Sequence, residues 1–214
     1  IAEGKHAQPT ILLKNKNFTV SAAIKDFWQN FPKAIEANSD ELIIRLFPYQ
    51  HHDLHEFQPG EQKTHTIFLD FDGNDLDWIQ SPVFARAEDD NISNHPDKRY
   101  QKLRGAFAEN FDKKNEIIDE YGWRNFGDIY ADHEATDNKK IISHYNNQYD
   151  FIYGGILHFL SSGNHRWFDL MRDAAQHMLD IDIFYTDKDT HPINNTSYIH
   201  TATSTHSGNC PHDT

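Results

Sequence analysis

The chain has 214 residues, a formal net charge of −13 and a hydrophobic content of 37%, a size that suits one large domain or parts of two. The acidic balance argues against a nucleic-acid partner, because phosphate-binding surfaces need clustered Lys and Arg. The single cysteine, Cys210, excludes an internal disulfide framework and gives no zinc-thiolate signature. No apolar run is long enough to cross a bilayer, so a membrane partner is not expected.

The first part of the chain predicts β structure. Four short strand-like runs are separated by polar turns or prolines, at residues 10–13, 17–24, 41–47 and 63–71. Short strands punctuated in this way are typical of antiparallel sandwiches. We therefore assign residues 1–80 to part of a β-sandwich domain.

Residues 81–214 predict a connector followed by helices. One helix is expected at about 100–111, and apolar residues recur at helical spacing from 146 onward. Gly163 predicts a helix stop, and a second helix is expected at about 165–180 with Trp167 on its packing side. Two helices joined by a short glycine turn form an antiparallel hairpin, which is typical of helical bundles and toroids. We therefore expect the first helices of an (α/α) toroid here.

The segment 121–134 carries the highest density of reactive side chains. It holds a Trp, two Tyr, an Arg, a His and three acids within fourteen residues, without the periodicity of a core element. Such side chains stack on rings, form hydrogen bonds or transfer protons. A second dense block at 144–150 opens the predicted helix. Together the two blocks predict a carbohydrate-binding cleft.

Two histidine-containing segments precede these blocks. Residues 51–56 contain three His, but zinc needs ligands that converge tetrahedrally and a turn spreads them apart, so we predict a polar loop and no metal. Lys63 and His65 share one face if the strand starts there, because alternate residues point the same way. That face would either present them to a substrate or be an ordinary solvated strand surface. His177 is expected to lie on the second helix without a chemical role.

The order of several blocks resembles the exo-rhamnogalacturonan lyase family, whose β-sandwich domains are followed by a C-terminal α/α toroid. The similar blocks are residues 26–33, 55–56, 60–65, 121–134, 146–150 and 180–186. The segment 194–206 matches the family pattern only loosely. The resemblance covers residues 26 to 186 and implies a polysaccharide lyase that acts on pectin.

The resemblance implies cleavage of a 4-linked galacturonic acid by β-elimination, which requires neutralisation of the uronate carboxylate, a base and an acid. Arg suits the carboxylate through charge-assisted hydrogen bonds, and His or Tyr suits proton transfer. We assign Arg124 to the carboxylate, with His133 and Tyr130 sharing proton transfer. The competing interpretation is that Arg124 pairs with Asp128 or Asp132 and holds the loop together.

Substrate binding is assigned to residues that hydrogen-bond or stack on sugars: Lys63, His65, Trp123, Asn146, Asn147, Gln148, Tyr149, Asp150 and His206. Amide side chains recognise sugar hydroxyls because they donate and accept together. The alternative for the amide cluster is helix capping by Asn146 or Asn147.

Two other functions stay open from the residues themselves. A toroid glycoside hydrolase would use paired carboxylates, chosen from Asp128, Asp132, Glu134 and Asp150. A non-catalytic carbohydrate-binding module would use the same residues for recognition only. In each case the expected partner is an acidic polysaccharide or oligosaccharide, and no cofactor is predicted, since nothing in the sequence supports calcium.

The chain begins at Ile1 without methionine and stops within a polar segment, so we expect an internal piece of a longer protein. The 214 residues in isolation are expected to show weak or no activity, because a toroid cut after its first hairpin exposes apolar faces. The N-terminal residues do not indicate a cellular location. A secreted or periplasmic location would suit a pectin-degrading enzyme.

Overall fold

The computed structural model describes residues 6–7, 10–49, 51, 55, 57, 60–74, 76, 98–129, 150–185 and 196–197. By its contacts the chain divides into two compact units. The first comprises Ile1–Phe57, Lys63–Pro82 and Tyr121–Arg124, and the second comprises Gln58–Gln62, Val83–Glu120 and Asn125–Thr214. The fold is mixed, with N-terminal antiparallel strands in two small sheets followed by three helices.

The first unit contains a three-stranded and a two-stranded antiparallel sheet. The strands are β1 (Thr10–Lys14), β2 (Thr19–Ile24), β3 (Ala34–Ala37), β4 (Leu42–Arg45) and β5 (Ile67–Asp70). Strand β2 lies between β1 and β5, and β3 pairs with β4. The sequence predicted four of these strands, β1 one residue too short and the other three with boundaries that are too wide, and it missed β3.

Strand β2 is buried on both of its faces. Ser21 is 3% exposed and Ala22 is 0% exposed, although their side chains point to opposite sides of the sheet. The Ser21 hydroxyl donates to the Asn74 carbonyl at 2.7 Å, so the turn that follows β5 covers the Ser21 side. Asp70 accepts from the Asn74 backbone N–H at 2.8 Å and thereby closes this turn.

The hairpin of β3 and β4 is closed by side chains at its turn. The Asn38 Oδ1 accepts from the backbone N–H groups of Asp40 and Glu41, both at 2.9 Å, which is the local bonding that places Asn in turns. Arg45 donates to Glu36 through two nitrogens, at 2.6 and 3.3 Å, across the strand pair. The hairpin follows directly on Lys33 in the chain.

The second unit is built on three helices: α1 (Lys98–Ile118), α2 (Phe151–Ser162) and α3 (His165–His177). A π-helical turn at Met178–Asp182 extends α3, and the short strands β6 (Ile183–Phe184) and β7 (Thr196–Ser197) pair beyond it. Helix α1 extends past the predicted end at 111. The second predicted helix continues to residue 182, but its last turn is π-helical rather than α-helical.

The helical hairpin of α2 and α3 forms as the sequence predicts. Asp150 caps α2 by accepting from the Tyr153 backbone N–H at 3.1 Å. Gly163 ends α2 in the left-handed conformation, with φ 66° and its N–H bonded to the Phe159 carbonyl at 2.7 Å. Asn164 then caps α3 through Arg166 N–H at 2.9 Å.

The core of the second unit lies between the three helices. Its buried members are Ala108, Phe111, Phe159, Trp167 and Leu170. Trp167 is 4% exposed, which confirms the packing role predicted for it. No helix in the described part of the chain is both long and apolar enough to span a membrane.

Two adjacent glycines of α2 give a matched test of the hairpin. A Cβ at Gly155 would lie 2.9 Å from Met171 Cβ on α3, whereas a Cβ at Gly154 would meet nothing within 4 Å. We expect Gly155→Ala to lower the free energy of unfolding by about 1–3 kcal/mol through overpacking. Gly154→Ala should instead raise it by up to about 1 kcal/mol, because alanine is the better helix former. Denaturant titration of both variants measures the difference, and equal stabilities would contradict the close packing of α2 on α3.

Candidate functional site

The loop after β2 places Lys33 in the first unit. Asp26 has a left-handed backbone with φ 51°, and Asn30 donates to its carbonyl through both the backbone N–H, at 3.0 Å, and the side-chain amide, at 3.2 Å. The loop therefore folds back on itself before the Phe31–Pro32 bond, which is cis. Lys33 follows immediately and precedes β3, so the sheet hairpin anchors its backbone.

The segment that holds Trp123 and Arg124 is bonded to the same loop. The Gly122 N–H donates to the Gln29 carbonyl, and the Trp123 N–H donates to the Phe31 carbonyl, both at 2.8 Å. These two bonds place residues that are about ninety positions apart in the chain next to each other. The reactive segment predicted at 121–134 thus begins beside Lys33.

Phe47 is the centre of a cluster of rings. His55, Phe57, His65 and Trp123 surround it, with ring centroids 5.2, 5.3, 5.6 and 5.4 Å away, respectively. Phe57 also stacks on Trp123 at 4.7 Å. Such tilted and edge-on pairs are favoured by the ring quadrupoles. The rings form an apolar wall, and we call Lys33, His55, His65 and these aromatic residues the basic–aromatic cluster.

Lys33 is a buried cation in this cluster. Its Nζ lies 6.0 Å from the Phe47 ring centroid, and it is buried without a hydrogen-bond partner among the described residues. Burial, together with a smaller effect of the positive charge of Lys63, lowers the pKa of Lys33 to about 7, although the negative charge of Asp26 acts in the opposite direction. A lysine with this pKa is partly neutral near pH 7 and can accept or give a proton.

His65 and His55 also place ring nitrogens inside the cluster. The Nε2 atoms of both are buried, and neither has a hydrogen-bond partner within the described ranges. Burial, together with the smaller effects of the positive charges of Lys33 and Lys63, lowers the pKa of His65 to about 4. His65 is therefore a neutral imidazole at physiological pH. The His55 ring also stacks on His51 at 5.7 Å.

Arg124 lies against the Trp123 ring of the basic–aromatic cluster. Its guanidinium carbon is 4.9 Å from the Trp123 ring, and the residue is 2% exposed. Trp123 is 7% exposed, so most of its ring is covered by Phe47 and Phe57.

The structure brings four of the predicted site residues into one unit: Lys63, His65, Trp123 and Arg124. Residues 61, 63 and 65 are partly buried, whereas residues 62, 64 and 66 are exposed, which is the alternation expected of Lys63 and His65. Strand β5 begins only at Ile67, so the alternation comes from an extended segment before the strand.

The remaining predicted residues are separate from this cluster or outside the described ranges. Asp150 is exposed and caps α2, so a capping role is observed for the end of the polar block. Tyr130, His133, Asn146, Asn147, Gln148, Tyr149 and His206 lie outside the described residues.

Sequence reasoning missed Lys33 and His55. Residues 51–56 were predicted to be a polar loop; the described residues 51 and 55 lie outside helices and strands, but the contact of the His55 ring with Phe47 was not foreseen. Lys33 is surrounded in sequence by Phe31, Pro32 and an apolar strand, which is the only signal that its side chain could be drawn inward. The burial itself depends on Phe47, which no local pattern connects to Lys33.

A second polar cluster lies within the second unit. His177 is 2% exposed, and its Nε2 is 3.8 Å from an Asp128 carboxylate oxygen and 3.5 Å from one of Asp182. These residues line a small cavity together with Gly127, Ile129, Phe151 and Ala174. The sequence assigned His177 no chemical role, and its position between two buried carboxylates was not foreseen. In the part of the chain that the structure describes, no group of three or more His, Cys, Asp and Glu has the arrangement of a metal site.

Comparison with protein-family models and with curated proteins found no match for this chain.

Proposed function

We propose that the protein is a polysaccharide lyase that cleaves rhamnogalacturonan or a related uronate polymer by β-elimination. The observation that supports this most directly is Lys33, whose Nζ is buried without a hydrogen-bond partner among the described residues. An amine with a pKa of about 7 is suited to remove the C5 proton of a uronate, since general bases work best near the ambient pH.

The neighbouring groups supply the other requirements of the reaction. Lys63 and Arg124 provide positive charge for the uronate carboxylate, which must be neutralised before the C5 proton becomes acidic. His65 is neutral because its pKa is lowered to about 4, so it would accept hydrogen bonds from sugar hydroxyls rather than act as an acid. Tyr130 and His133 are retained as proton-transfer residues for the leaving oxygen.

The proposal also includes the architecture to which the sheets and helices belong. We take the two sheets of the first unit as part of a β-sandwich and the three helices as the first helices of an α/α toroid. Apolar residues on the outer sides of α1 and α2 favour further packing: Leu103 is 71% exposed, Ile117 83% and Leu160 57%. Exposed apolar surface of this kind suits the docking of additional helices.

The proposal is tested with the full-length protein, rhamnogalacturonan and the same polymer after chemical reduction of its carboxyl groups. We expect near-ultraviolet absorbance from an unsaturated uronate product with the acidic polymer. The reduced polymer should give none, because it lacks both the carboxylate and the acidic C5 proton. His133→Ala, in a protein that still folds, should abolish the absorbance.

Reducing ends released from rhamnogalacturonan without absorbance would replace the lyase by a glycoside hydrolase. Binding of the polymer without product of either kind would assign the chain to the carbohydrate-binding modules. Either outcome would contradict the proposed reaction.

A further inference from the structure

The reactivity of Lys33 extends beyond proton transfer. A lysine becomes a nucleophile when its amine is neutral, and desolvation together with a neighbouring cation is a recognised way to reach that state. Lys33 meets both conditions, since its Nζ is buried against the Phe47 ring and Lys63 adds a like charge. The described residues offer this nitrogen no hydrogen-bond partner, so none of them donates a hydrogen bond to its lone pair.

We propose that Lys33 is a nucleophilic amine that forms a Schiff base with a small carbonyl compound bearing a carboxylate, such as a 2-oxo acid. Two features of the cluster favour that class. The Lys33 Nζ is buried, with the Phe47 ring centroid 6.0 Å away, and this exclusion of water from the amine favours the dehydrated imine. Lys63 supplies the positive charge that a carboxylate next to the carbonyl would meet.

The chemistry needs no oxidant or reductant. The Lys33 nitrogen forms a bond to the carbonyl carbon while the carbonyl π electrons move to oxygen, and one proton passes from nitrogen to that oxygen. The C–O bond of the resulting carbinolamine then breaks, and one water leaves as the C=N bond forms.

The experiment treats the purified protein at about pH 7 with glyoxylate below one equivalent, in the presence of cyanoborohydride. The hydride reduces the imine to a stable secondary amine, and peptide mass spectrometry then gives the extent of labelling at each lysine. We expect Lys33 to be labelled at least about tenfold more than the exposed Lys14 and Lys16, because an ordinary lysine with a pKa of about 10.4 is almost wholly protonated at this pH.

A second variant tests the proposal without changing Lys33 itself. Lys63→Gln should reduce Lys33 labelling severalfold, since removal of the neighbouring cation leaves more of the Lys33 amine protonated, while Lys14 and Lys16 are unchanged. Labelling of Lys33 equal to or below that of the exposed lysines would overturn the proposal. The measurement needs no polysaccharide, so it stands or fails separately from the lyase reaction.

Discussion

Replacing Lys33 by methionine is expected to lower turnover about 10²–10⁴-fold while raising the free energy of unfolding by about 1 kcal/mol. Both effects have the same cause. Lys33 Nζ is buried beside Phe47 without a hydrogen-bond partner in the described ranges, so its positive charge is costly to the fold. Methionine has a similar length and fills the space without a charge. A residue that is kept at a cost in stability is typical of a functional site.

The pH dependence of this stability gain has a definite sign. The pKa of Lys33 is about 7 in the folded protein and 10.5 for an unperturbed lysine. Between these two values the unfolded state binds more protons, so the stability of the wild type rises with pH. The gain from Lys33→Met should therefore be largest at and below pH 7 and should decline as the pH approaches 10.5.

The pKa of Lys33 also predicts how turnover depends on pH on the acidic side of its optimum. In the proposed reaction Lys33 is the base and must be neutral, so turnover should rise with pH through about 7. Lys63→Gln should move this limb to higher pH, because the like charge that lowers the pKa of Lys33 is removed. The measurements are turnover against pH for each variant and denaturant unfolding at several pH values.

Lys14→Met is the matched control, because Lys14 is exposed on β1 and the substitution changes net charge and side chain in the same way. It should leave both turnover and stability nearly unchanged, as surface substitutions commonly do. Full activity in Lys33→Met would remove Lys33 from the reaction. A loss of stability in that variant would show that the amine is held by favourable contacts rather than buried at a cost.

Local patterns predicted much of the secondary structure. Strand β2 and the α2–α3 hairpin depend on periodic apolar residues and on Gly163, and these features are visible in the sequence. Strand β3 was missed because four residues, Ala34–Ala37, carry too little pattern, and it exists through its pairing with β4. The extension of α1 beyond residue 111 was missed because its last turns are mostly polar.

The candidate site was predictable where it depends on local patterns: the dense segment from residue 121 pointed to Trp123 and Arg124, and alternation pointed to Lys63 and His65. Lys63 and His65 were assigned to one face, and their burial alternates as expected. Lys33 was not predicted because its burial arises from Phe47 and from the bonds of Gly122 and Trp123 to the loop before it. Contacts between residues this far apart in the chain leave no mark in a single sequence.

Replacing Gly127 by alanine is expected to lower the free energy of unfolding by about 3 kcal/mol or more. Gly127 has φ 101°, a conformation that L side chains rarely adopt. A Cβ there would also lie 2.4 Å from the carbonyl oxygen of Asp173 and 3.0 Å from the Cβ of His177. The obstacle is the backbone of α3, which cannot turn aside as a flexible side chain would.

The position of Gly127 makes this loss specific to the second unit. The glycine allows its backbone to lie directly against the last turns of α3, which places Asp128 beside His177 and Asp182 around the small cavity. Displacing that backbone would separate the buried carboxylates from the imidazole, and buried charged groups that lose a partner are strongly destabilising. Since whole domains are stable by only about 5–15 kcal/mol, the variant should lose a large part of its stability and unfold at a clearly lower temperature and denaturant concentration.

Gly105→Ala on α1 is the control for this prediction, because a Cβ there would meet nothing within 4 Å. It should be neutral or stabilising by up to about 1 kcal/mol, as alanine favours the helix. Thermal and denaturant unfolding of both variants, with amide exchange of residues 165–182, measures the contrast. A Gly127→Ala protein as stable as the wild type would mean that this backbone does not pack on α3 at the observed distance. That result would also contradict the arrangement of His177 between two carboxylates.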